Sequence, residues 1–422
     1  MKIFKFGGAS INSIERYINT GNVIKSFSGE KLLIVVSAMG KTTNALEEVT
    51  DCFYSNNKAE ALKKFDSIKD SHNNTVESLI KNENSAATKE NLMPFFTETE
   101  WLLHDSPVRG YDYYYDQIVC CGELLSSTIL CSYLQQLTLN ATWVDVRDLL
   151  RTDDNFRDAG IDWEFSKPKI AETINSLFKN HDIIVTQGFI GATDQNESTT
   201  LGREGSESTA AVFAHVLNAS SVTIWKDVDA VMSADPKKYP DATNITSLSY
   251  LEVIEMAYYG AQVIHPKTIK PLQNKNIPLL VKSFIHPSLQ GTTISNTASK
   301  NLPPIVVHKE KQVLMSFKSK DFSFVEDKPA EMLQELFHKI RVRPNLTQHT
   351  AISLLCCFDY HPEKIEQLAL EAENMFDVQL EKGLELLTIR HYNEESLHEF
   401  IKNKIILLEQ KTTETVQFLM RM

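Results

Sequence analysis

The sequence predicts an α/β protein built on a parallel sheet and followed by smaller α+β modules. Three observations carry that prediction. Residues 183–186, Ile-Ile-Val-Thr, form a short apolar, β-branched run of the kind buried in a parallel sheet. Gly188 and Gly191 break it, and a polar loop closes on Leu201-Gly202-Arg203-Glu204-Gly205-Ser206 before small residues from Thr209 turn helical. Residues 2–6 and 31–36 also read as strands, each ending in a polar, glycine-containing loop. From residue 312 onward the pattern changes to strand, helix, strand, strand, and that order occurs twice.

A strand, a glycine loop and a helix start make an anion cradle, because backbone N–H groups and the helix dipole converge on the loop. Arg203 adds a planar fork suited to a carboxylate or phosphate. A tight αβ connection with an incidental arginine has the same pattern, so both readings stand at this point.

Composition narrows the function. At 422 residues the chain can bury a large core and should hold two or three domains. A net charge of −12, with no long basic run, argues against a nucleic-acid partner. No apolar run approaches the roughly 18 residues needed to cross a bilayer, and residues 1–5 lead into Gly7-Gly8 rather than an apolar leader segment. A cytoplasmic protein without a membrane partner is expected. The six cysteines include no C-x-x-C pair and sit in apolar contexts, as reduced, packed thiols do; no metal site is expected.

Taken in order, the first strand leads through Gly7-Gly8-Ala9-Ser10 into a helix over about 14–27. The glycines fit neither a Walker P-loop nor a dinucleotide fingerprint. Lys5 either aims a charge at whatever those glycines hold or is an ordinary edge lysine. The second strand ends in Ser37-Ala38-Met39-Gly40-Lys41-Thr42-Thr43-Asn44 ahead of a helix near Ala45. Ligands bind at this carboxyl edge in open α/β sheets. Residues 51–105 carry helix-spaced apolar stripes and read as scaffold, whereas 109–115 read as a loop with surface or interface tyrosines. A long apolar helix over 117–127 contains Glu123, which is costly there unless it meets a substrate ammonium or a local arginine.

Residues 141–146 are a strand and 168–179 a helix. A strand at 221–225 feeds the loop 226–237, where Asp227 and Lys237 are either nucleotide contacts or surface turn residues. His265 before Pro266 organises a turn, and 278–282 make the last strand of this part. Residues 291–304, rich in Ser, Thr, Asn and Pro, read as a linker. In the tail, strands are expected at 312–317, 345–347 and 352–358, with helices at 329–339 and 362–376. The second run places strands at 384–390, 405–409 and 416–420 and a helix at 394–403. Ligand sensing or dimerisation suits such modules better than catalysis.

Seven segments in order resemble the aspartate kinase branch of the amino-acid kinase family. They are Lys5-Phe6-Gly7-Gly8-Ala9-Ser10, residues 35–44, Gly122-Glu123-Leu124-Leu125-Ser126, residues 186–191, residues 199–206, Trp225-Lys226-Asp227-Val228 and Val263-Ile264-His265-Pro266. The resemblance implies a three-layer αβα sandwich over 1–295 and ferredoxin-like ACT-type modules at 305–383 and 384–422, the second truncated. It implies transfer of the ATP γ-phosphoryl group, with Mg²⁺, to the β-carboxylate of L-aspartate, giving 4-phospho-L-aspartate for lysine, threonine and methionine synthesis. Lys5, Gly7 and Gly8 would hold the phosphoryl group, with Glu207 orienting Lys5. Ser37, Thr43, Glu123, Phe189, Arg203 and Ser206 would line the aspartate site. Lys5, Lys226, Asp227, Met232, Lys237 and Gln262 would lie along the nucleotide, and the modules would join a homodimer.

Four positions depart from the family pattern. Glu207 replaces an Asp, Lys226 a Thr, Met232 a Tyr and Gln262 a Lys, and Lys226 is expected to replace the charge lost at Gln262. Arg343-Pro344-Asn345 occupies a regulatory position that usually holds an Asp and small hydroxyl residues, which leaves the effector open. A catalytically weak amino-acid-binding regulatory protein and another amino-acid kinase are the alternative readings.

Overall fold

The computed structural model describes residues 1–81, 83–297, 301–320 and 328–421, and divides into two compact units. The first comprises Met1–Val231, Asn244–Ile254 and Val263–Ser299; the second comprises Met232–Thr243, Glu255–Gln262 and Lys300–Met422. Two short stretches inside the expected 1–295 domain thus cluster with the C-terminal unit.

The first unit is organised by an eight-stranded sheet. In spatial order its strands are Ser247–Ser249, Thr292–Ser295, Leu279–Ser283, Ser221–Lys226, Lys2–Phe6, Leu32–Val36, Ile183–Gln187 and Ala141–Trp143. The six from Leu279–Ser283 to Ala141–Trp143 are all parallel. They read as continuous apolar runs because both faces are covered by helices. Phe4, Phe6, Leu32, Ile34 and Val36 face one core with Tyr17, Phe53, Phe65 and Leu125. On strand alternation Lys5 therefore points to the other face, where the helix Gly205–Leu217 packs on Lys2–Phe6, Leu32–Val36 and Ser221–Lys226. The layers are helices, sheet and helices, as expected.

Register decides where the loops go. Phe6 is level with Val36 and Trp225, and Val36 with Gln187. Four strands therefore end together, and the loops after Phe6, Val36, Gln187 and Lys226 open on one edge. Gly8 sits so tightly there that an added Cβ would lie 2.8 Å from the carbonyl oxygens of Ala38 and Gly40.

Several elements differ from the sequence-based expectation. Of residues 109–115 only Arg109 and Gly110 are loop: Tyr111–Val119 is helical and continues almost directly into Cys121–Gln136. Tyr114 and Tyr115 are buried rather than superficial. The combined segment Tyr111–Gln136 is long and apolar enough to cross a membrane, contrary to the reading that no run approaches this, but 89% of its apolar window is packed inside the protein. The helix expected from residue 168 starts at Trp163, because Asp162 accepts from the Phe165 N–H and caps it. The expected linker 291–304 contains the strand Thr292–Ser295, held between Leu279–Ser283 and Ser247–Ser249; residues 298–300 lie outside the described ones.

The second unit is a six-stranded antiparallel sheet in the order Leu346–His349, Ser353–Asp359, Ile305–Ser319, Phe376–Arg390, Thr415–Arg421 and Ile405–Lys411. The helices Lys328–Ile340 and Pro362–Ala372 close one core with Val313, Met315, Phe317 and Phe358. The helix Glu394–Ile401 closes a second through Leu397, with Leu387, Ile389 and Phe418. Its two central strands are 15 residues long and serve both halves. The expected boundary at 383/384 falls inside one of them. Residues 305–309 of the other pair with 386–390 of the second half.

Gly188 ends the Ile183–Gln187 strand beneath the start of the Gly205–Leu217 helix, and a Cβ there would lie 2.6 Å from the Ser206 Cα. Gly188→Ala must push that helix off the sheet at a cost of about 1–3 kcal/mol, measurable by calorimetry as a lowered Tm.

Candidate active site

A cavity of about 420 Å³ opens in the first unit at the edge where the strands end. Its walls contain Lys5, Ser37, Thr43, Glu123, Phe189, Arg203, Ser206 and Glu207, eight residues singled out in the sequence from positions spread over 200 residues. Each arrives by a distinct route. Lys5 projects from the central strand, Ser37 follows the next, and Phe189 follows the third in a left-handed conformation (φ +71°). Ser206 and Glu207 stand in the first turn of the Gly205–Leu217 helix, which left-handed Glu204 (φ +56°) starts. Strained backbone of this kind concentrates at functional sites.

Hydrogen bonds fix the walls. Ser37 Oγ donates to Ser206 Oγ at 2.9 Å, and Ser126 Oγ donates to the Ser37 carbonyl at 2.7 Å. The Phe189 N–H donates to Thr209 Oγ1 at 3.1 Å. Glu123 accepts from the Ala38 N–H at 3.2 Å through Oε1, while Oε2 is buried without a hydrogen-bond partner. The local arginine considered for Glu123 is not there. Burial pushes its carboxyl up to about 8, so without a cation it holds a proton at neutral pH. Arg203, also in the lining, is exposed, with its fork free of ion pairs among the described residues.

The charge at Lys5 is set by burial and by three carboxylates and one amine. Burial holds its ammonium below the ordinary lysine range; Glu207, Glu204 and Glu123 oppose this, and Lys226 reinforces it. Glu207 lies 3.8 Å from Lys5 and 3.3 Å from Lys226, with its own side chain 5% exposed. Gly7 is beside this group, where a Cβ would come within 3.2 Å of Lys5 Nζ.

Lys226, Asp227, Met232, Lys237 and Gln262, expected along the nucleotide, are not among the residues lining this cavity. Lys226 donates to the Val263 carbonyl at 2.8 Å and is not among the cavity's lining residues; Asp227 is exposed. Met232, Lys237 and Gln262 belong to the second unit. His265 caps the helix Pro266–Gln273 by accepting from the Lys267 N–H, a turn-organising role as expected. The six cysteines are free thiols. A further cavity of about 810 Å³ lies within the second unit, with Arg341, Arg343, Asn345, His338 and Tyr258 in its walls.

Sequence reasoning missed Tyr115, Arg157 and Thr200 on the cavity wall, and Asp116 behind it. Asp116 is fully buried and accepts from the Arg157 N–H, the Thr200 N–H and Thr200 Oγ1 at 3.0, 2.8 and 2.7 Å. Burial raises its carboxyl to about 6. The Arg157 guanidinium lies 4.2 Å from the Tyr115 ring centroid. Asp116 shares its helix Tyr111–Val119 with Asp112 and four tyrosines, so no lone carboxylate on an apolar run marks it in the sequence.

Residues 1–283 match the amino acid kinase family model. The chain belongs to the amino acid kinase family. It is 32% identical over 327 residues to aspartokinase 2, chloroplastic, of Arabidopsis thaliana, covering 75% of this chain and 59% of that one. It is also 32% identical over 296 residues to the bifunctional aspartokinase/homoserine dehydrogenase 2, chloroplastic, of the same plant, covering 69% of this chain and 32% of the relative. The chain thus spans between about a third and three-fifths of the length of these curated relatives. Among solved structures, E. coli aspartokinase III in complex with aspartate and ADP superposes with a TM-score of 0.83 at 25% identity, covering 100% of this chain and 96% of that one. The six-stranded antiparallel sheet of the second unit is consistent with the expected ACT-type modules.

The raised Glu123 carboxyl fixes a sign for stability. In the unfolded chain this group ionises near 4.5, and in the fold it keeps its proton to about 8. Unfolding therefore releases a proton between those values, and stability falls as pH rises through the window. Glu123→Gln removes this slope, which reaches at most about 1.4 kcal/mol per pH unit. The ligand-free variant should melt above the parent at pH 8.5 and close to it at pH 5, by calorimetry at both.

Proposed function

We propose that this amino acid kinase is an aspartate kinase, transferring the γ-phosphoryl group of ATP to the β-carboxylate of L-aspartate to give 4-phospho-L-aspartate and ADP. One observation carries the reading: the buried, unpartnered Oε2 of Glu123 shares a cavity with the Arg203 fork and the Lys5 ammonium. An amino acid with two carboxylates matches all three. Glu123 takes the α-ammonium, Arg203 clamps the α-carboxylate through two parallel N–H bonds, and Lys5 faces the reacting end. The relatives named as aspartokinases and the aspartokinase III complex with aspartate and ADP support the same assignment.

The attacking carboxylate is ionised at neutral pH, so no general base is needed. The barrier lies in aligning two anions and offsetting their repulsion. Lys5 supplies a cation that burial has stripped of water, and an approaching phosphoryl group restores its tendency to stay protonated. Gly7 and Gly8 leave the backbone bare beside it. Among the described residues no cluster of His, Cys, Asp or Glu could hold a metal ion; Mg²⁺ would arrive on the nucleotide's phosphate oxygens and neutralise charge there. An N-acetylated substrate would leave Glu123 facing an uncharged amide, which disfavours an acetylglutamate kinase. Regulation and pairing of two copies belong to the second unit in this reading. The walls of its cavity would sense a small ligand, and its edge strand Ile405–Lys411 exposes Ile405 and Ile406.

The test is ADP release with aspartate, glutamate and N-acetylglutamate as acceptors. Turnover with aspartate alone is expected, and none with any of the three would favour a purely regulatory protein. Lys5→Met should lower kcat about 10²–10³-fold, measured as acyl phosphate trapped by hydroxylamine. Because aspartate binding must ionise Glu123, the KM for aspartate should fall by up to about tenfold per pH unit as pH approaches 8 from below. A KM independent of pH would remove Glu123 from the substrate's ammonium.

A further inference from the structure

Lys226 offers more than a point on a nucleotide path. Its ammonium donates to the Val263 carbonyl at 2.8 Å and lies 3.3 Å from Glu207 Oε1, the same oxygen that stands 3.8 Å from Lys5. The Glu207 carboxylate is buried, with Oε2 unpartnered, so its attraction to any nearby cation is little screened. Two lysines compete for it. At 3.8 Å Lys5 is outside hydrogen-bond range, which leaves its N–H donors for the cavity. Were Lys226 neutral, Glu207 would swing onto Lys5 and close a contact ion pair, directing the ammonium away from the cavity.

We infer that Lys226 is a positioning residue for the transfer step: anchored on the Val263 carbonyl, it draws the Glu207 carboxylate back so that Lys5 stays available to the phosphoryl group. Lys226 acts through Glu207 and is not itself among the residues lining the cavity. This assignment rests on the phosphoryl-transfer reading of the cavity, while the geometry of the three charges does not.

The groups facing Lys5 are Glu207 and Glu204 on or beside the Gly205–Leu217 helix, Glu123 on Cys121–Gln136, and Lys226 on its neighbouring strand. Lys226 lowers and Glu207 raises the proton affinity of Lys5. Removing the Lys226 charge therefore makes Lys5 harder to deprotonate.

Two readouts on the whole chain test this. The first is acetylation of Lys5 by acetic anhydride as a function of pH, scored by peptide mass spectrometry, which requires no turnover. Lys226→Met should move the labelling midpoint up by about one pH unit, whereas Lys226→Arg, which keeps the charge, should leave it near the parent. The second is acyl-phosphate formation with ATP and aspartate. Lys226→Met should lower kcat about tenfold with little change in the KM for aspartate, and Lys226→Arg should recover most of it. Glu207→Gln should impair the parent strongly but cost about tenfold less in a Lys226→Met background, because there the carboxylate traps Lys5. Unchanged labelling and kcat in folded Lys226→Met, or strict additivity in the Glu207 cycle, would overturn the inference. If the parent makes no acyl phosphate, the substrate reading fails instead, and the labelling profile alone decides the role of Lys226. Should Lys226→Met not fold, Lys226→Gln serves in its place.

Discussion

A lysine ammonium held largely out of water at the end of a central strand is the constraint around which the first unit is arranged. Such a charge is tolerated only where opposite charge is close. That requirement explains why Glu207 rather than an apolar residue occupies the first turn of a helix whose residues 205–211 are otherwise small. It also explains why the helix must lie against the sheet face that Lys5 points to. The parallel register then does the rest. With Phe6, Val36, Gln187 and Trp225 nearly level, the loops that follow must share one edge, and residues far apart in sequence become neighbours around the same amine.

Two carboxylates of one cavity have unlike surroundings. For Glu123 burial outweighs its backbone hydrogen bonds and the Lys5 charge, so it prefers the neutral form. Glu207 has two ammonium groups within 4 Å. The first is suited to waiting for a cation; the second already has two. In the proposed reading, ligand selection and charge management fall to different side chains, set by surroundings rather than by chemistry of the carboxyl group.

Much of this was legible in the sequence because its signals are local. Apolar runs followed by glycines gave the strand ends, and with them Lys5, Ser37, Phe189 and Ser206. What escaped depends on long-range pairing. Asp116 has its partners 41 and 84 residues away, and its tyrosine-rich neighbourhood resembles a loop until the helix Tyr111–Val119 is seen packed on the core. The segment 292–295 has linker composition, and only its seat between two strands makes it part of the sheet. Lys226 lies 3.3 Å from the carboxylate of Glu207, another position that departs from the family pattern. Two departures that looked separate in the sequence are a single contact in space.

The sharing of two long strands by both halves of the C-terminal unit has a mechanical consequence. Each half owns its own helices and core, yet neither owns a complete sheet, so peeling one away would bare an unpaired edge on the other. A displacement of either half along Ile305–Ser319 or Phe376–Arg390 must be carried into its neighbour through a continuous backbone. The pair is therefore built to shift and to unfold as one body, and cutting the chain between its halves would forfeit the order of both.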